Sequence, residues 1–242
     1  MEKKSPRSRS SSPGFSPLAF DQDLAPLPEY RAASTSSVDL GGLLPTPITL
    51  HEDLKTGCGG MIWDAGVVLA KHMVRYQLDA LRDARILELG AGGGLVGLAV
   101  AAARTQRTQP LYLTDLPEML QLMQLNVRLN QLEQCVKPLV LSWGETLTQE
   151  VVDFRPNVIL AADCVYFELA FPLLLQTLQK LFTLCPDAIA FFCFRKRRKA
   201  DMQFLKKARK IFQVEEPEDM DRKEYSRSSI FLYTFRRKIL IS

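Results

Sequence analysis

This 242-residue chain has no apolar stretch long enough to cross a bilayer. A spanning helix needs about 20 such residues, and the longest candidate, Phe171 to Leu184, is interrupted by Gln176, Gln179 and Lys180. No apolar block follows Lys3, Lys4, Arg7 and Arg9, so the basic N-terminus does not read as a secretory signal. Glu2, Asp21 and Asp23 count against a mitochondrial presequence, which is poor in acids. The five cysteines include no C-x-x-C pair, and three lie inside apolar runs where a thiol behaves as a small hydrophobe. Neither a disulfide framework nor a metal site is expected, and an odd count points to a reducing compartment. A net charge of +4 is too small to imply a nucleic-acid partner without a concentrated basic face. There is no internal repeat.

Two regions of different composition are present. Residues 1–45 are rich in serine and proline (Ser5 to Gly14, then Pro17, Pro26, Pro28 and Ser34 to Ser37) and carry too little apolar surface to offset the entropy of ordering. They are expected to form a disordered tail, either a phosphorylated or docking arm or an inert leader. Residues 46–242 alternate short β-rich runs with helical stretches. The runs are 85–89, 110–114, 136–142, 157–161, 188–194 and 229–235; the helical stretches are 64–77, 95–104, 117–131, 171–184 and 200–212. Strands alternating with helices of 10–15 residues predict βαβ units and a parallel sheet. Near-continuous apolar strands such as Ala188 to Phe194 fit burial on both faces. The last strand, beyond the charged stretch Glu215 to Lys223, is expected to insert antiparallel. The prediction is one α/β domain with a Rossmann-like, seven-stranded, mostly parallel sheet and helices on both faces.

The strongest local signal is Glu88-Leu89-Gly90-Ala91-Gly92-Gly93-Gly94, an apolar strand running through a glycine turn into an apolar helix. Such turns let backbone approach a ligand closely and present helix N–H groups to it. The dinucleotide pattern G-x-G-x-x-G fits badly, because from Gly90 it needs a small residue where Leu95 stands. E-x-G-x-G-x-G fits, and it is the loop of Rossmann-like methyltransferases. Asp115 closes the next strand, where an acid accepts from ribose hydroxyls or, alternatively, caps the helix after it. Asp163-Cys164-Val165-Tyr166 follows the fourth strand, at the edge bordering both methyl donor and acceptor. It is not Asn/Asp-Pro-Pro-Tyr, which counts against a nucleic-acid base as acceptor; Asp163 as a helix cap and Tyr166 as packing are the alternatives. Trp63 and Trp143 also sit at strand ends on this edge, where an indole can flank an adenine or methionyl chain. Arg195-Lys196-Arg197-Arg198-Lys199 reads as an RNA-binding run, a solvated loop or a guide for a protein substrate.

With these motifs the chain resembles the seven-strand protein-lysine methyltransferases of the methyltransferase-like 21 kind. Gly57 to Trp63, Glu88 to Gly94, Leu160 to Glu168, Ala170 to Leu173 and Arg195 to Asp201 look most like the fungal elongation factor methyltransferase 6 branch. The resemblance implies S-adenosyl-L-methionine as cofactor, with contacts from Trp63, Gly90, Ala91, Gly92, Asp115, Trp143 and Ala162. It implies Asp163 and Tyr166 at the acceptor, and a lysine of translation elongation factor 1-alpha as substrate. The expected partner is therefore that protein, with neither membrane nor nucleic acid, and the chain acting as a cytoplasmic monomer. An RNA methyltransferase and a non-catalytic donor-binding scaffold are the alternatives.

Overall fold

Strands buried on both faces require a core on each side, and the main sheet has two. The structure, a computed structural model, describes residues 33–54, 58–104 and 108–238. Seven strands, β3 (Ile86–Leu89), β4 (Leu111–Asp115), β5 (Val136–Val140), β6 (Val158–Ala162), β7 (Ile189–Arg195), β8 (Phe212–Glu215) and β9 (Ile230–Arg237), form one sheet in the order β5-β4-β3-β6-β7-β9-β8. Pairings are parallel except where β9 runs against β7 and β8. Because side chains alternate along a strand, Ile86, Leu160 and Phe191 enter one core while Leu87, Ile159 and Phe192 enter the other. The first core is closed by α1 (Asp64–His72), α2 (Leu95–Ala103) and α3 (Leu120–Leu129); the second by α4 (Gln149–Phe154), α5 (Phe171–Leu184) and α6 (Lys199–Ile211). A short α7 (Arg222–Arg227) adds Tyr225 to the first core. The expected fold class is borne out.

The chain reverses direction across the sheet between β3 and β6. From β3 it steps outward to β4 and β5, then returns to place β6 on the other side of β3. The crevice at such a switch point, outside the carboxyl ends of the strands, is where open α/β sheets bind ligands. Here the glycine turn after β3 and the Asp163 segment after β6 share that crevice.

Part of the stretch expected as a tail is structured. Ser34–Val38 forms β1, antiparallel to β2 (Ile48–Glu52), and Leu40 and Leu44 between them are buried. Polar Ser34 to Ser37 hid this strand: its support comes from the ladder to β2 and from Ser36 Oγ donating to Glu52 (2.5 Å), not from an apolar face. Residues 1–32, the rest of the proposed tail, lie outside the described residues.

The small β1–β2 sheet is fastened to the domain by two asparagines one helical turn apart. Asn126 of α3 and Asn130, which caps its C-terminus, act as surrogate strand partners. The His51 N–H donates to Asn126 Oδ1 (2.7 Å), and Asn126 Nδ2 donates to the His51 carbonyl (3.2 Å). The Thr49 N–H and carbonyl engage Asn130 likewise at 2.8 and 2.7 Å. Asn126 Nδ2 also donates to the Gly93 carbonyl (2.9 Å), so the same side chain braces the glycine turn.

Candidate active site

The glycine turn is a backbone structure held from below. Gly90 (φ +60°) and Gly92 (φ +56°) occupy the left-handed region that L side chains avoid. A Cβ on Gly90 would lie 2.8 Å from Trp143 Cζ2 and 2.9 Å from Cys164 Sγ; one on Gly92 would lie 2.3 Å from the Gly59 carbonyl oxygen. The turn is thus packed beneath Trp143 on one side and the 58–60 segment on the other. Ala91 N–H donates to the Thr114 carbonyl (3.0 Å), tying the turn to β4. Glu88 points away from the crevice, under α2, where its Oε2 accepts from the Gly97 N–H (2.7 Å). Burial pushes the Glu88 carboxyl up to about 8, Gly97 pulling it down and the Asp115 charge adding to the rise. The first residue of E-x-G-x-G-x-G therefore braces the start of α2.

Asp115 grips the turn directly. Its Oδ2 accepts from the Gly92 N–H and its Oδ1 from the Leu116 N–H, each at 2.7 Å. It does not cap the following 3₁₀ turn, Pro117–Met119, whose N-cap Leu116 makes no side-chain cap. Desolvation raises its carboxyl to about 6 despite both N–H donors. Trp143 lies just beyond β5, and Ala162 ends β6 with its Cβ about 4.0 Å from where a Cβ on Gly66 of α1 would stand. The carboxyl ends of β3, β4, β5 and β6 thereby gather Gly90, Ala91, Gly92, Asp115, Trp143 and Ala162 around one crevice.

On the β6–β7 side the site is built from side chains. Asp163 turns the chain out of β6 with φ +53°, its N–H donating to the Cys193 carbonyl of β7 (2.8 Å). Its carboxylate, only 5% exposed, is forked by Arg197: Nη1 to Oδ1 at 2.9 Å and Nη2 to Oδ2 at 2.5 Å. The Arg195 N–H adds a third bond to Oδ1 (3.1 Å). The Arg197 guanidinium also lies over the Trp63 ring, 5.0 Å from its centroid. Trp63, expected to face the donor, therefore presents a ring face to the arginine loop. Asp163 does not cap the helical turn after it, Glu168–Ala170, whose N-cap is Phe167 without a side-chain cap. Cys164 is buried between the two edges, its Sγ donating to the Leu89 carbonyl (3.3 Å). Burial raises its thiol well above the ordinary value, so it acts as packing and not as a nucleophile.

The arginines of the basic run are each paired with an acid of the domain. Arg195 pairs with Asp64 at the start of α1 (3.1 Å), and Arg198 pairs with the fully buried Asp201 (3.0 Å) and donates to the Tyr166 carbonyl. Asp201 in turn accepts from the N–H groups of Arg197 and Arg198 (2.7 and 2.8 Å), fixing the loop at the start of α6. Arg197 and Arg198 fasten the Asp163–Tyr166 segment, while the guanidinium of Arg195 forms an exposed pair with Asp64. Sequence reasoning missed Arg197; its one available signal was an unpaired acid beyond β6 facing a basic run beyond the neighbouring strand.

A Rossmann-like sheet with this glycine turn and acid defines a methyltransferase fold, and solved structures agree on the fold. Mitomycin 7-O-methyltransferase MmcR superposes with a TM-score of 0.53 at 13% identity, over 72% of this chain and 54% of that one. Residues 44–211 match the lysine methyltransferase family, and the chain belongs to it. It is 32% identical to protein-lysine N-methyltransferase EFM6 of Saccharomyces cerevisiae, over 90% of this chain and 97% of the yeast protein. Protein N-lysine methyltransferase METTL21A of Danio rerio is 36% identical over 70% and 76% of the two chains. EEF1A lysine methyltransferase 3 of Xenopus tropicalis is 36% identical over 62% and 63%. The protein is an S-adenosylmethionine-dependent protein-lysine N-methyltransferase. The residues present fit that cofactor. A carboxylate has about four acceptor positions, and Asp115 gives two of them to backbone N–H groups, leaving capacity for ribose hydroxyls. Among the described residues no helix is long and apolar enough to cross a membrane.

Proposed function

We propose that this enzyme methylates a lysine of translation elongation factor 1-alpha in the cytoplasm, acting as a monomer. In this reading Trp63, Gly90, Ala91, Gly92, Asp115, Trp143 and Ala162 hold the donor, and Asp163 and Tyr166 meet the acceptor. The observation carrying it is that the Asp163 segment and the glycine turn end adjacent parallel strands and pack on one another through Cys164. Relatives named for modifying EEF1A support the substrate.

When bound, S-adenosylmethionine supplies an electrophilic methyl group on a positively charged sulfur. This chain must present a neutral amine to it in line. Lysine has a reference pKa near 10.4, so its free base costs about 4–5 kcal/mol at pH 7. Desolvation in the crevice and the neighbouring positive charge lower that cost. Asp163 Oδ2 accepts one bond from Arg197 and keeps an acceptor position with which to orient the amine. In this reading half-buried Tyr166 supplies an aromatic face at the same edge, suited to a developing methylammonium. Neither residue is needed as a base, since water can take the proton. Pairing of Arg197 with Asp163 and of Arg198 with Asp201 leaves less free cationic charge for phosphates and supports a protein over RNA as acceptor.

A cell extract incubated with labelled donor and the enzyme tests the substrate. Label on a lysine of elongation factor 1-alpha is expected; label in RNA, or only in other proteins, sinks the assignment. We further propose that the catalytic domain starts near residue 33. Deleting residues 1–32 should then leave melting temperature and donor affinity unchanged.

A further inference from the structure

Three of the roughly four acceptor positions of Asp163 are filled, two by one guanidinium and one by the Arg195 N–H. The Arg197 guanidinium is itself fixed twice, forked on the carboxylate and stacked on Trp63. A bidentate fork that also stacks on an indole is a geometry that lysine does not reproduce. We propose that Arg197 is a positioning residue for methyl transfer, cancelling the Asp163 charge at the acceptor edge so that the crevice favours the free-base amine over the ammonium. This rests on Asp163 facing the acceptor lysine.

The reasoning is electrostatic. An unpaired carboxylate beside the acceptor would hold a lysine as its cation, because an opposite charge nearby favours the charged form. It would bind substrate well and react slowly. The paired carboxylate still accepts a hydrogen bond but carries little net field. Other charged and titratable groups around Asp163 do not substitute for Arg197. On β7, the Cys193 thiol is raised by burial and stays neutral; within the segment, Cys164 does the same. On the β7–α6 loop, Arg195 directs its guanidinium to Asp64 of α1 and Arg198 directs its own to Asp201. In the crevice Asp115 is turned onto Gly92, and outside it Glu88 is turned onto Gly97 beneath α2.

The test compares Arg197→Gln, Arg197→Lys, Asp163→Asn and the double variant Asp163→Asn/Arg197→Gln with the parent. Single-turnover methylation is measured at saturating donor across pH 7 to 10, on purified elongation factor 1-alpha. Arg197→Gln should slow methylation at pH 7 by tenfold or more, leave acceptor KM unchanged or lower, and regain rate as pH rises. Its kinetic pKa should sit at least about one unit above the parent's. Arg197→Lys should restore the pKa partly. The double variant, lacking both charges, should return it to the parental value even if the rate stays low. A uniform loss for Arg197→Gln with a parental pH profile would overturn the proposal, as would a double variant whose pKa stays raised. A substrate-free arm guards against misfolding: Arg197→Gln should lower the melting temperature at pH 7, and adding Asp163→Asn should recover part of it. Equal, additive losses would show that the pair does not couple and would also overturn the proposal. If the parent labels no lysine of elongation factor 1-alpha, the substrate reading fails separately. The pH series is then run on whichever lysine the parent labels in extract.

Discussion

The two edges of the crevice are built from different materials. The β3–β4 edge is backbone: left-handed glycines, N–H groups and one acid that holds them, all contributed by short contiguous segments. The β6–β7 edge is side chain: an acid in a left-handed backbone whose partners arrive from a loop more than thirty residues later. A backbone cradle tolerates almost no change in residue type, because its shape depends on the absence of Cβ atoms. A side-chain lattice tolerates change in shape and fails when charges lose their partners.

That contrast orders the expected effects. Gly92→Ala should be the most damaging change to donor binding, since its Cβ would stand 2.3 Å from the Gly59 carbonyl in a backbone region that strains alanine. We expect donor affinity to fall by more than about 100-fold, roughly 3 kcal/mol, read by calorimetry on protein confirmed as folded. An affinity within tenfold of the parent would mean that the cradle is soft.

Asp115→Ala comes next. Losing hydrogen bonds to a charged acceptor should cost roughly 1.5–3 kcal/mol, or about 10- to 150-fold in donor affinity. With its carboxyl raised to about 6, Asp115 also gives parental binding a pH dependence. The ionised form is the better acceptor, so affinity should weaken as pH falls below about 6, and Asp115→Asn should flatten that limb. A parental profile in the asparagine variant would assign the dependence elsewhere.

Stability offers an effect of another kind beneath the same cradle. The Glu88 carboxyl rises to about 8 on folding, so the folded state holds a proton that the unfolded chain releases near pH 4–5. The associated stability is complete below the unfolded value and is lost as pH climbs through the folded one. Between those limits the parent should lose on the order of 5 kcal/mol, at about 1.36 kcal/mol per unit. Glu88→Gln, which keeps an acceptor for the Gly97 N–H, should remove most of that decline in denaturant titrations at pH 5 and 9. An unchanged slope would show that Glu88 is not the group responsible.

Legibility in the sequence followed the same division. The glycine turn, Asp115 and the strands around them could be read because strand, turn and helix are contiguous and their chemistry is backbone chemistry. Asp163 and Tyr166 could be located, but not what holds them: charge composition alone cannot distinguish an arginine that meets solvent from one that meets a buried acid. Several elements escaped for other reasons, β1, β8 and α4 among them. β1 is polar and held by ladder bonds, β8 continues directly from α6 at Phe212, and α4 is six residues capped by Thr148 with little periodicity to detect. The asparagine surrogates in α3 and at its C-cap were unreadable too, because their partners on β2 lie more than seventy residues away.

The most direct test of a crevice with separable donor and acceptor edges pairs two measurements on two variants. Donor affinity by calorimetry and single-turnover rate at saturating donor and acceptor are determined for Asp115→Ala and Asp163→Asn. The account predicts that Asp115→Ala loses at least about tenfold in affinity and regains most of its rate once donor is saturating. It predicts that Asp163→Asn binds donor within a few-fold of the parent and remains slow at saturation. Loss of donor affinity in Asp163→Asn comparable to that in Asp115→Ala, with parental rates at saturation, would contradict it.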